Sequence, residues 1–180
     1  GYFQELSEMP DEHVLTKFEG LLSDSVRKML MSDVPVGIFV SGGIDSSLVA
    51  VLAHQYKKDN NLFTSEVEGK YSELPYSRLL SETLGLQLHI NQFQPDQFVT
   101  DLTAATYAYE APMVKFANAL AFGRVAELTK KAGIKPVLTG EGSDELFLAY
   151  PMLHFQKYKG IIDFPKNFVP QLKCWNLSVC

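Results

Sequence analysis

Apolar side chains recur at helical spacing from residue 11 to 30, where Val14, Phe18, Leu21, Leu22, Val26, Met29 and Leu30 fall on one side. Pro10-Asp11 supplies a start, so the spacing predicts an amphipathic helix with Met29 and Met31 as core filler. Val36, Ile38, Phe39 and Val40 then form a short β-branched-rich run that reads as a strand buried in a parallel sheet. Leu48, Val49, Val51 and Leu52 return to the helical period, and Lys57 to Asn61 is a polar turn. Leu62 to Val67 is a second candidate strand, interrupted by Ser65 and Glu66. A helix from about Leu74 to Leu84 is stopped by Gly85, Leu86 to Ile90 reads as a third strand, and Pro95 opens a helix to about Tyr109. Glu110-Ala111-Pro112-Met113 breaks the period, after which Phe116, Leu120, Val125 and Leu128 carry a helix to the lysines before Gly133. Pro136-Val137-Leu138-Thr139 makes a last short strand, followed by a helix through Leu146, Phe147 and Tyr150.

Strands alternating with single helices imply right-handed crossovers and therefore an α/β fold, a parallel doubly wound sheet with helices on both faces. The expected organisation is a linker over residues 1–10, one domain over 11–160, and an irregular tail over 161–180 that reads as a truncation end. With 180 residues, 46% of them hydrophobic, the chain is large enough for one soluble core. A net charge of -5 with scattered basic residues argues against a nucleic-acid partner. Apolar stretches too short for a bilayer, and an N-terminus without a signal pattern, argue against a membrane and predict a cytoplasmic protein. Cys174 and Cys180 lack metal-site or disulfide-framework spacing and read as free thiols.

Candidate chemistry concentrates in two loops. Ser41-Gly42-Gly43-Ile44-Asp45-Ser46-Ser47 sits at a strand-to-helix turn, where unpaired helix N–H groups and the positive end of the helix dipole favour a polyphosphate. Gly42 and Gly43 permit close backbone approach, Ser41, Ser46 and Ser47 add hydroxyl donors, and Asp45 suits the magnesium ion that accompanies phosphate. Helix capping alone accounts for one polar residue, not four around a glycine pair. The loop is neither a Walker A motif nor a dinucleotide fingerprint, because no Gly-Lys-Ser/Thr follows and the third glycine is missing. Gly140-Glu141-Gly142-Ser143-Asp144-Glu145 is the second loop. Ligands of open parallel sheets collect at strand carboxyl ends, so both loops are expected to face one crevice, with Asp45 and Asp144 sharing magnesium and Glu141 positioning substrate or an incoming amine. His89 reads as a packing residue or as one near the nucleotide, and Glu110 as a loop residue that faces the crevice or solvent.

Ser-Gly-Gly-Ile-Asp-Ser-Ser resembles the PP-loop of the N-type ATP pyrophosphatases, which cleave ATP between its α- and β-phosphates. Leu-Thr-Gly-Glu-Gly-Ser-Asp-Glu-Leu-Phe resembles the second signature of the asparagine synthetase family. Ser32-Asp33-Val34-Pro35-Val36-Gly37, Tyr76-Ser77-Arg78 and Leu88-His89 extend the resemblance over roughly residues 14–158. It implies the adenine nucleotide alpha hydrolase-like fold, with pyrophosphate on Ser41, Gly43, Asp45 and Ser46, and magnesium on Asp45 and Asp144. Glu141 would serve the adenylation site, and Val40, Val67 and the Thr139-Gly140 backbone would contact adenosine. The reaction implied is attack of a carboxylate, in the family aspartate, on the α-phosphate of ATP, followed by displacement of AMP by ammonia. A glutaminase domain or partner chain would supply the ammonia.

Two departures temper the resemblance. Leu148-Ala149-Tyr150 replaces the family's Gly-Gly-Tyr, and neither its cysteine-initiated glutaminase domain nor its later Arg-x-Pro-Phe segment is in this sequence. These leave open a catalytically incomplete nucleotide-binding module that docks on a partner chain. They also leave open an adenylating ligase for a different acid, of the β-lactam- or lasso-peptide-forming type.

Overall fold

The computed structural model describes residues 10–66, 72–110 and 118–147. The chain divides into two compact units, residues 1–141 and 142–180. In the first unit the elements run α1 (Asp11–Met29), β1 (Gly37–Phe39), α2 (Ile44–Tyr56), β2 (Asn61–Glu66), α3 (Leu74–Leu84) and β3 (Gln87–Gln92). A 3-10 turn at Pro95–Gln97, α4 (Phe98–Tyr109), α5 (Asn118–Lys131) and β4 (Val137–Leu138) complete it. The second unit contributes α6 (Ser143–Phe147) among the described residues.

All strand pairs are parallel and the order is β3-β2-β1-β4, the sheet expected from the alternation of elements. Ile38 lies opposite Leu62 and Leu138, and Phe39 opposite Phe63, so side chains of like direction stack across the strands. Ile38, Val40, Leu62 and Leu138 face one core with Leu22, Val26, Ala50, Ala53, Leu80 and Leu84 from α1, α2 and α3. Phe39, Phe63 and Val137 face the other, against Val125 and Leu128 of α5. Helices therefore cover both faces, and Ile38, Leu62 and Phe63 are fully buried. Removing such a side chain from water is worth about 1.5–3 kcal/mol each.

Polar residues join the strands where cross-strand partners exist. Asn91 donates to Ser65 across β3 and β2 at 3.3 Å, so Ser65 and Glu66 extend β2 rather than end it. The segment from Pro95 opens as a 3-10 turn, with Gln97 N–H on the Gln94 carbonyl at 3.0 Å, and the α-helix starts at Phe98. Met29 and Met31 are 66% and 73% exposed, a correction to their reading as core filler. The packed side of α1 is the row Leu22, Val26 and Leu30, which seats the end of the helix on the sheet and turns Met29 outward. Expectations for Val67, for Leu148-Ala149-Tyr150 and for the 161–180 tail fall outside the described residues.

Candidate nucleotide site

β1 ends at Phe39 and the chain reaches α2 through Val40, Ser41, Gly42 and Gly43. Val40 still belongs to the sheet, donating its N–H to the Phe63 carbonyl at 2.9 Å, and its side chain is core. Gly42 takes φ +86, which turns the backbone into the helix. Gly43 occupies the N-cap position with extended φ and ψ, and no side chain caps α2. Capping is thus excluded as the purpose of the polar residues here. Ser47 is the first to bond back, its N–H reaching the Gly43 carbonyl at 3.1 Å. The N–H groups of Ile44, Asp45 and Ser46 find no acceptor among the described residues. They are three donors at the positive end of a helix dipole, Ile44 being 82% exposed.

The serine hydroxyls hold the loop in this shape. Ser46 is 7% exposed, and its Oγ accepts the Ser41 N–H at 3.1 Å and donates to the Gly43 carbonyl at 3.3 Å. Ser47 Oγ donates to the same carbonyl at 2.7 Å, while Ser41 Oγ accepts the Gly43 N–H at 3.2 Å. These four hydrogen bonds close within the loop, and the N–H groups of Ile44, Asp45 and Ser46 stay without an acceptor among the described residues. The Ser46 and Ser47 hydroxyls, expected as donors to an anion, brace the loop on the Gly43 carbonyl. Asp45 stands half-buried in the first turn of α2.

The second loop follows β4, immediately beside β1. Strand order runs outward from β1 through β2 to β3 on one side and jumps to β4 on the other, so the β1/β4 boundary is the point where the winding reverses. Crevices of open parallel sheets form at the carboxyl ends there. Gly140 is packed so tightly on α2 that a Cβ would lie 2.7 Å from Ser46 N and 3.1 Å from Asp45 Cβ. Thr139 Oγ1 accepts the Glu141 N–H at 3.4 Å, and Glu141 is exposed beside this contact. Gly42 has a similar fit on its other side, where a Cβ would lie 2.6 Å from the Glu73 carbonyl and 3.0 Å from Tyr76 Cβ. This contact with the start of α3 escaped sequence analysis, since Tyr76-Ser77-Arg78 carries no phosphate chemistry in its spacing.

Of the expected residues, Val40, Ser41, Gly42, Gly43, Asp45, Ser46, Ser47, Thr139, Gly140 and Glu141 line these two loop ends in the first unit. Asp144 lies in the first turn of α6 in the second unit, and Val67 is outside the described residues. Among the described residues no group of three His, Cys, Asp or Glu side chains forms a metal cage. No helix there is long and apolar enough to cross a membrane. His89 is a packing residue: its ring stacks on Phe63 at 4.7 Å, and Nε2 lies 3.2 Å from Asn61 Oδ1. Glu110 ends α4 in the left-handed conformation, φ 53, and is exposed.

The family model for asparagine synthase matches residues 17–169. Asparagine synthetase [glutamine-hydrolyzing] 1 of Bacillus subtilis is 30% identical over 141 residues, covering 78% of this chain and 22% of its own length. Amidase chry2 of Gibberella zeae is 33% identical over 145 residues, covering 72% of this chain and 22% of its own. This chain therefore spans about a fifth of the length of these curated relatives. Among solved structures, the NH3-dependent NAD synthetase from Campylobacter jejuni has TM-score 0.47 and 23% identity, over 76% of this chain and 60% of that one. With a family model matched over most of its length, the chain belongs to the asparagine synthase family.

Proposed function

We propose that this chain forms the nucleotide-binding part of an AMP-forming carbon–nitrogen ligase, with aspartate as the acid and ammonia as the amine. The observation that carries the reading is the close packing of Gly140 on Asp45 and Ser46, which joins the two family signatures at the reversal of strand order. Pyrophosphate would lie on the N–H groups of Ile44, Asp45 and Ser46, beside Ser41 and Gly43. Gly42 permits the turn that aims them. Val40 would offer adenosine its backbone, since its side chain is buried, together with Val67 and the Thr139-Gly140 backbone.

Magnesium fits the donor set as an ion held mainly by phosphate oxygens, because it takes one or two carboxylates and keeps water, and Asp45 is a half-buried carboxylate beside the open donors. Bound there, the ion would neutralise charge on the leaving pyrophosphate. The protein's share of catalysis is placement: fixed N–H dipoles stabilise the charge developing on pyrophosphate, and Glu141 orients the acid or the amine.

The test is product analysis. Incubated with ATP, magnesium, aspartate and ammonia, the protein is expected to release AMP and pyrophosphate; ADP and phosphate would refute the reading. Leu148-Ala149 in place of Gly-Gly favours a second reading, a nucleotide-binding module without turnover. ATP binding with no AMP formed, when the parts of the relatives missing from this sequence are supplied in trans, would select it.

A further inference from the structure

The Tyr76-Ser77-Arg78 motif has no part in the chemistry above, yet it starts the helix against which the glycine loop is built. Gly42 meets α3 backbone to backbone, with its α-carbon under the Glu73 carbonyl and beside Tyr76 Cβ. The start of α3 is not itself an anion site. Leu74 N–H goes to Ser72 Oγ at 3.4 Å, Pro75 has no N–H, and Tyr76 and Ser77 both donate to the Glu73 carbonyl. What α3 presents to the loop is a side chain. A helical Cβ points back toward the N-terminal turn, which for Tyr76 is the side where Gly42 sits. Tyr76 is 64% exposed and its hydroxyl has no partner among the described residues. A large aromatic left in water beside Gly42, at the turn that leads into the three unpaired donors, is placed to reach over what the loop binds.

We propose that Tyr76 is a positioning residue for the polyphosphate: its ring closes over the anion on the Ser41–Ser46 loop, and its phenol O–H donates to a phosphate oxygen. The proposal rests on the nucleotide reading above and adds a residue to it. A phenol suits the role because it donates without charge and its apolar body excludes water from the phosphates.

Isothermal titration of the chain with magnesium pyrophosphate and with AMP separates the possibilities. Tyr76→Ala is expected to weaken pyrophosphate binding roughly tenfold, the scale of a lost hydrogen bond to a charged group, while AMP binding stays unchanged. Tyr76→Phe is expected to lose part of that affinity. Leu79→Ala, one turn along the exposed side of α3, serves as the control and is expected to bind pyrophosphate like the parent. Equal pyrophosphate affinity in Tyr76→Ala and the parent would overturn the assignment, as would equal losses for pyrophosphate and AMP. Absence of pyrophosphate binding by the parent chain would overturn the nucleotide reading itself, and this assignment with it.

Discussion

At φ +86, Gly42 holds a conformation that costs an L-residue about 1–2 kcal/mol, and a Cβ there would overlap a backbone carbonyl that cannot swing away. Gly42→Ala is expected to lower unfolding free energy by roughly 1–3 kcal/mol in a urea titration and to abolish pyrophosphate binding. Gly140 tests the other wall. Its Cβ would meet the Ser46 backbone at 2.7 Å, so Gly140→Ala should push the second loop off α2 and cut ATP affinity, as titration calorimetry would show. Ser77 is the opposite kind of residue, fully buried with an Oγ that has no hydrogen-bond partner among the described residues. Ser77→Ala should therefore be neutral or stabilising by up to about 1 kcal/mol in the same titration. The need for glycine at a turn was legible in the sequence because it is a local backbone property. Which atoms crowd Gly42 and Gly140 was not, since Glu73 and Ser46 reach them only through the fold.

Between elements, α4 and α5 are joined by Asp101 and Arg124. The guanidinium grips the carboxylate through Nε, at 2.8 Å from Oδ2, and through Nη2, while Nη1 reaches Glu127 at 3.2 Å. Asp101 is 9% exposed, and its carboxylate beside Arg124 holds the guanidinium pKa above its ordinary value. Arg124→Ala strands a buried charge and should destabilise the chain by roughly 3 kcal/mol, read by denaturant unfolding. Lys131, and less strongly Arg124, hold the Glu127 carboxyl below its ordinary value of 4.5. A depressed carboxylate stabilises above its unfolded pKa and loses that contribution as pH falls through the lower folded value. The carboxylate is half-exposed, so Glu127→Gln should cost only about 0.3–0.5 kcal/mol at neutral pH and nothing near about pH 2. Helix and strand types were legible from periodicity. The pairing of Asp101 with Arg124 was not, because two residues 23 apart on different helices leave no spacing signal.

For the molecule as a whole, a ligand that binds only the folded chain raises its stability by mass action. Magnesium ATP at about a hundred times its dissociation constant should add about 2.7 kcal/mol, seen as a rise in thermal midpoint that Asp45→Ala diminishes. The amino-acid sequence alone determined that strands alternate with helices, hence a parallel α/β sheet covered on both faces, and that two short loops hold the reactive residue types. Those properties depend on neighbours within a few positions, which is what a sequence displays directly. Only the tertiary structure decided that β4 pairs with β1 beyond β2 and β3, and so that residues 41–47 and 139–141 meet at one reversal point. It also turned the serine hydroxyls inward and set Tyr76 beside Gly42. Strand order and side-chain direction follow from burying Ile38, Leu62 and Phe63 together, a long-range packing requirement that no local pattern encodes.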